Sequence, residues 1–211
     1  MVQATDGNFY GTTSAGGAYD DGTVFKITPA GMLTTLHSFD GLDGNSPYGG
    51  LVQATDGNFY GTTLQGGANK NNDGTVFKIT PGGTETTLHS FDFTDGAGPW
   101  GGLVQATNGT FYGATLQGGT SADGTVFSLS VGLGRFVETL PTSGKVGTAV
   151  KILATDLRGV TRIKFNGITA VFKVVSKTLI SATVPAGATT GFVTVTTSGK
   201  TLKSNVKFRV P

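Results

Sequence analysis

Residues 52–63 read Val-Gln-Ala-Thr-Asp-Gly-Asn-Phe-Tyr-Gly-Thr-Thr, and the same twelve residues stand at 2–13. A weakened copy, VQATNGTFYGAT, occupies 104–115. Two further words repeat in the same order. GTVFKITP at 22–29 returns at 74–81, with GTVFSLS at 124–130, and TTLHSFD at 34–40 returns at 86–92. The Val-Gln-Ala-Thr word recurs after 50 residues and again after 52, with the length change confined to the loops around 17–21 and 67–73. Self-similarity at such a period marks a repeat architecture in which each unit is one supersecondary element. In the second copy four strands are expected, over 50–54, 58–63, 75–79 and 85–91. Asp56-Gly57 turns the first into the second, because Asp and Gly tolerate the positive φ of a tight turn. Four strands in about 50 residues match a blade of a β-propeller. The expected fold class is all-β, with three propeller-type blades forming an incomplete ring. A solenoid is the competing architecture, but its repeats are usually shorter.

The chain has 211 residues, of which 35 are Gly. Only Glu85 and Glu138 among the 13 acids are Glu, and Asp with Gly belongs in turns rather than helices. Residues 1–134 carry three bases (Lys26, Lys70, Lys78) and eleven acids, a balance of −8; residues 135–211 carry twelve bases and two acids, a balance of +10. Two units with different surfaces are expected, a repeat domain at 1–134 and a second domain at 135–211. Alternating basic residues on strands are ordinary outward-facing positions, and no basic stripe interleaves with aromatics, so no nucleic-acid partner is expected. No cysteine is present, and no apolar stretch reaches the length of a membrane span, so no membrane insertion is expected. Met1 runs directly into a repeat word, which reads as a cut edge without a signal peptide.

The words DGNFYGTT, DGTVFKIT and TTLHSFDG, in this order, resemble the bacterial tandem repeat known as GloVer over residues 1–130. That resemblance implies a propeller-like fold and placement outside the cell, in secreted or surface proteins, with no settled activity. From Phe136 to Pro211 the chain resembles an IPT/TIG domain, an Ig-like module of bacterial surface proteins. The words behind this are GTAVKI at 147–152, IKFNGITAVF at 163–172 and the segment 178–185. Asn166-Gly167 between alternating strands is a hairpin signal in itself. About seven strands are expected, which suits a sandwich.

Three blades do not close a ring, and an open arc leaves apolar faces at both ends. The expectation is a homodimer joined through those open blade ends, two arcs making six blades. The alternative is a structural spacer cut from a longer array.

No catalytic motif is legible, and the catalytic residues stay unassigned. His37 and His89 both sit in LHSF, so a hydrogen-bonded role within the blade outweighs catalysis, and no HxH or HExxH spacing points to a metal. Asp40, Asp43 and Asn45 have oxygen spacing compatible with calcium, but the corresponding Asp92 and Asp95 supply only two acids, so no cofactor is expected. Glu85, which stands where the first copy has Leu33, is an acid in the repeats without an acidic counterpart. If the chain is an enzyme, a polysaccharide hydrolase using Asp or Glu carboxylates of the ring is the fitting class. The favoured expectation is a binding or scaffold module for glycan or another extracellular polymer. Tyr48 and Trp100, in the Gly/Pro loops PYGG and PWGG, are the leading ligand-binding candidates, because flat rings on loops stack on sugars. Tyr10, Tyr60 and Tyr112, from the recurring Phe-Tyr pairs, are the others, since strand alternation should turn one ring of each pair outward.

Overall fold

The computed structural model describes residues 1–68 and 71–211; Asn69 and Lys70 lie outside the described residues. Among the described residues there is no helix, and the strands form five small antiparallel sheets. The first sheet is a meander of β1 (Val2–Gln3), β2 (Phe9–Thr13), β3 (Thr23–Ile27) and β4 (Leu33–Ser38). The second repeats it as β5 (Val52–Gln53), β6 (Phe59–Thr63), β7 (Thr75–Ile79) and β8 (Glu85–Ser90). The third has three strands, β9 (Val104–Gln105), β10 (Phe111–Ala114) and β11 (Val126–Leu129). The first turn of each repeat is alike. In the second, Asp56 accepts a hydrogen bond from the Asn58 amide at 3.1 Å while Gly57 takes φ +84°, a conformation a Cβ would penalise.

The repeated Phe-Tyr-Gly word is explained by packing. Gly61 pairs with Phe77 across the β6–β7 ladder, and a Cβ at Gly61 would meet the Phe77 ring at 2.7 Å. The glycine clears the space in which the cross-strand ring lies down over the sheet. Phe59, Phe77 and Ile79 then form one face, and Tyr60, Val76 and Val52 the other. Successive sheets stack with the Tyr face of one against the Phe face of the next. Tyr10 and Val24 share a buried cluster with Phe59, Phe77 and Ile79. Tyr10 stacks on Phe59 at 4.0 Å, and Tyr60 repeats the contact on Phe111 at 4.3 Å. Phe39 meets Phe77 edge-on at 5.1 Å, and Phe91 meets Phe127 in the same way. The middle sheet is therefore covered on both faces, while the outer two each have an open one.

The chain divides into two compact units, one of residues 1–105 and 111–129, the other of 106–110 and 130–211. The second is an Ig-like sandwich of eight strands rather than seven: β12 (Glu138–Leu140), β13 (Ala149–Leu153), β14 (Val160–Phe165), β15 (Ile168–Thr169), β16 (Phe172–Ser176), β17 (Leu179–Thr183), β18 (Gly191–Thr197) and β19 (Thr201–Phe208). Its sheets run in the orders β12-β13-β17-β16 and β15-β14-β18-β19. Val150, Ile152, Ile180 and Ala182 face Ile163, Phe165, Val193, Val195 and Phe208 across the core. Asn166 and Gly167, both at positive φ, make the tight turn from β14 to β15. The basic residues take the outward positions of the alternation: Lys151, Lys203 and Lys207 are exposed, and Lys203 lies 3.6 Å above the Phe192 ring.

The Gly61 packing makes a direct expectation. Gly61→Ala forces a methyl against Phe77 in the most enclosed sheet and should cost about 1–3 kcal/mol, the usual range for overpacking. Gly57→Ala, with nothing within 4 Å of its Cβ, should cost less, since only its φ is unfavourable. Urea denaturation of the two variants ranks them.

Candidate functional site

Two groups of side chains stand out in the repeat unit, an aromatic pair on the loops and a His-Asp-Glu cluster at the seam between the first two sheets.

The aromatic pair is set by the loops that carry it. Thr12 of β2 and Thr62 of β6 each donate a hydrogen bond to a loop carbonyl, Gly49 at 3.3 Å and Gly101 at 3.0 Å. A Cβ on Gly49 would lie 2.9 Å from the Gly101 oxygen, so only glycine lets the loops approach this closely. The approach brings the rings of Tyr48 and Trp100 face to face, with centroids 4.6 Å apart and planes within 3°. Both remain about half exposed, 49% and 51%. They form a single two-ring shelf rather than two separate sites.

The other three predicted aromatics are placed differently. Tyr10 and Tyr60 are buried, stacked on the next sheet and donating their hydroxyls to Asp6 at 2.8 Å and Asp56 at 2.9 Å. Neither has a face to offer a ligand, because both sides of a stacked sheet are core and alternation does not turn a ring outward. Burial, helped by the Asp6 carboxylate, pushes the Tyr10 hydroxyl up to about 12. Tyr112 differs from its equivalents and is 41% exposed on the open face of the third sheet.

Both histidines have an aspartate partner. His37 Nε2 lies 2.7 Å from Asp43 Oδ2, and His89 Nε2 lies 2.7 Å from Asp95 Oδ2. Each ring also stands edge-on to a buried Phe, Phe39 at 4.9 Å and Phe91 at 4.7 Å. The three residues considered for calcium are engaged separately. Asp40 accepts the amides of Leu42 and Asp43, Asp43 pairs with His37, and Asn45 donates to Asp21. Asn45 has no equivalent in the next repeat, where Ala97 occupies the matching bridge to Gln117. Asp73 Oδ2, the counterpart of the Asp21 carboxylate, is buried with no hydrogen-bond partner among the described residues.

The first His-Asp pair gains a third member. The carbonyl of Asp43 accepts the hydroxyls of Thr75 at 3.1 Å and Thr87 at 3.4 Å, which ties its loop to the second sheet. Gly83 passes so close to the Leu36 carbonyl that a Cβ would sit 2.8 Å from it. These contacts set the start of β8 beside β4 and bring Glu85 to His37 and Asp43, with one ligand atom from each residue within 4.8 Å of the others. Among the described residues it is the one such group of three. Burial first, and then the Asp43 charge, lift the Glu85 carboxyl from 4.5 to about 7. The hydrogen bond to Asp43 raises His37 against an opposing effect of burial. For Asp43 burial works upward, but the hydrogen bonds from His37 and the Asp40 amide outweigh it and leave the carboxyl low. In the sequence Glu85 was visible only as a break in the repeat; its partners lie in the preceding copy and become neighbours through sheet stacking.

Stacked antiparallel repeat sheets followed by an Ig-like sandwich define an all-β tandem-repeat chain. The Gloeobacter/Verrucomicrobia repeat matches residues 1–171, and the IPT/TIG domain matches residues 136–210. The chain belongs to the Gloeobacter/Verrucomicrobia repeat family and carries an IPT/TIG domain at its C-terminal end. No curated protein matches it. Among solved structures it is similar to a "novel fungal alcohol oxidase with catalytic diversity among the AA5 family, in complex with copper", at 12% identity and a TM-score of 0.39. The match covers 93% of this chain and 51% of that one, so this chain spans about half that protein's length.

The seam cluster gives the repeat unit a pH dependence. Glu85 is raised on folding, so its stabilising contribution is present below 4.5 and lost as pH rises through about 7. His37 is also raised, and its contribution fades as pH rises above 6.5. Asp43 is lowered, so its contribution fades only in acid, below 3.8. In chelator-containing buffer the melting temperature should fall between pH 5 and pH 8. Glu85→Gln should flatten that fall, gaining stability at pH 8 and little at pH 5. A wild-type curve flat over this range would contradict the assignment.

Proposed function

We propose that the chain is a scaffold and binding module of the bacterial exterior. In this reading its three repeat sheets are propeller-type blades that close into a ring with the blades of a second copy. The observation that carries it is a burial contrast at equivalent positions. Val24 and Val76 are 0% and 1% exposed, whereas Val126, at the same place in the third sheet, is 83% exposed. Val104, on the same face of that sheet, is also exposed, while Val2 and Val52 are partly covered. Fully burying a valine is worth about 1.5 kcal/mol or more, so a face of this composition favours being covered.

The occupant follows from the seams already formed. The Tyr/Val faces of the first two sheets are each covered by the Phe face of the next, as Tyr10 and Val24 are by Phe59, Phe77 and Ile79 and Tyr60 is by Phe111. The corresponding Phe face of the first sheet, with Phe9, Phe25 and Ile27, is only partly buried. The open face of the third sheet and that of the first are thus the two halves of one recurring contact. Two copies docking head to tail, each end on the other's beginning, would satisfy both at once with closed two-fold symmetry.

The Tyr48/Trp100 shelf is the proposed contact for a glycan or another extracellular polymer. Two parallel, stacked, half-exposed rings leave their outer apolar surface to sugar CH groups at little conformational cost. Placement outside the cell and polymer binding rest together on the family and on this shelf.

Light scattering coupled to size exclusion tests the ring. The whole chain should run as a dimer at micromolar concentration, and Val126→Lys should weaken it by about tenfold or more, the equivalent of 1.4 kcal/mol. A monomer at every concentration would overturn the ring, and open-ended oligomers would mean that the faces pair without closing. For the shelf, Trp100→Ala should abolish retention on a glycan or polysaccharide panel with the fold intact by circular dichroism. Unchanged retention would remove the shelf from the account.

A further inference from the structure

We propose that His37, Asp43 and Glu85 bind a divalent transition-metal cation of the zinc class at the seam between the first and second repeat sheets. The donor set is one imidazole nitrogen and two carboxylates, a combination that suits zinc and its neighbours and leaves a position open. The candidate donor atoms lie within 4.8 Å of one another. Bonds of about 2.0–2.2 Å in a tetrahedral site would place them about 3.4 Å apart. His37 Nε2 and Asp43 Oδ2, now 2.7 Å apart, would open slightly as Glu85 swung in. Its carboxylate accepts the Thr87 hydroxyl at 3.2 Å, a bond that a metal-bound carboxylate can keep on its second oxygen.

The other histidine pair separates this from ordinary repeat structure. His89 and Asp95 reproduce the pair at the same 2.7 Å, yet no third ligand joins them among the described residues. They are also more open, at 39% and 45% side-chain exposure against 20% and 21% for His37 and Asp43. The His-Asp contact by itself belongs to the repeat. What is particular to the first seam is Glu85, placed where the first copy carries Leu33. A half-buried acid beside an aspartate is costly to ionise, and a neighbouring cation would offset that cost. A bound ion would do so, and it would pin two neighbouring sheets through ligands from both.

The test is calorimetric titration of untagged, chelator-stripped whole chain with ZnCl2, with MnCl2 and CaCl2 in parallel. One zinc per chain is expected, with a melting temperature that rises on loading. Calcium should bind far more weakly, because imidazole is a poor ligand for it. Glu85→Leu restores the residue of the first copy and is expected to fold; with the isosteric Glu85→Gln it should lose binding by at least about tenfold, as should His37→Gln. His89→Gln should bind like the wild type. The proposal is overturned if zinc gives no saturable heat up to about 1 mM. It is equally overturned if the Glu85 variants bind unchanged, if His89→Gln abolishes binding, or if calcium outcompetes zinc.

Discussion

The contact on which the repeat unit depends is a tyrosine ring lying flat on the phenylalanine of the next sheet, Tyr10 on Phe59 and Tyr60 on Phe111. A four-stranded meander of short strands cannot bury its own faces, and a lone sheet of this size would be marginal in water. Stacking supplies the missing cover. The glycine after each tyrosine lets a cross-strand Phe lie down on its own sheet, as Phe77 does over Gly61, where it meets Phe39 of the preceding repeat edge-on while Phe59 receives the Tyr10 ring. The tyrosine hydroxyl is satisfied by the turn aspartate of its own repeat, so the polar end of the ring is buried without loss. One short word thus encodes a strand, a turn, a packing surface and a hydrogen bond.

Much of this was legible in the sequence because the repeat shows which residues vary together. The strands over 59–63 and 75–79 were fixed by Thr/Val/Phe runs between Gly pairs, and the Asn166-Gly167 turn by its dipeptide. What the residues alone did not reveal was that both faces of a sheet are interior. Period-two alternation says that Phe59 and Tyr60 point opposite ways; it does not say that each direction leads into another sheet. Tyr10 and Tyr60 were therefore expected to be available to ligand and are instead packed. Only the third copy, which no further repeat sheet covers among the described residues, leaves its tyrosine partly exposed.

The seam cluster was hidden for a related reason. His37 and Asp43 are six residues apart and readable as a pair, but Glu85 comes from the next copy, through β8 settling beside β4. Its chemistry depends on a threonine hydroxyl tying down a loop and a glycine permitting close backbone approach, neither of which carries a signal in a single chain. The exception to the repeat at 85 was the visible trace. In a tandem array the repeated residues build the frame, and the exceptions, here Glu85 and Ala97, are where local chemistry departs from it.

The central claim is that the Val126 face of the third sheet is one half of the contact that joins the sheets, covered by a second copy. The chain has no cysteine, so a single Val126→Cys gives an unambiguous probe of that face. Its reaction rate with a thiol reagent, followed across a dilution series, is the most direct measurement. The account predicts rapid labelling in dilute solution and protection that grows and saturates as concentration rises. Labelling at one rapid rate throughout the series would contradict it.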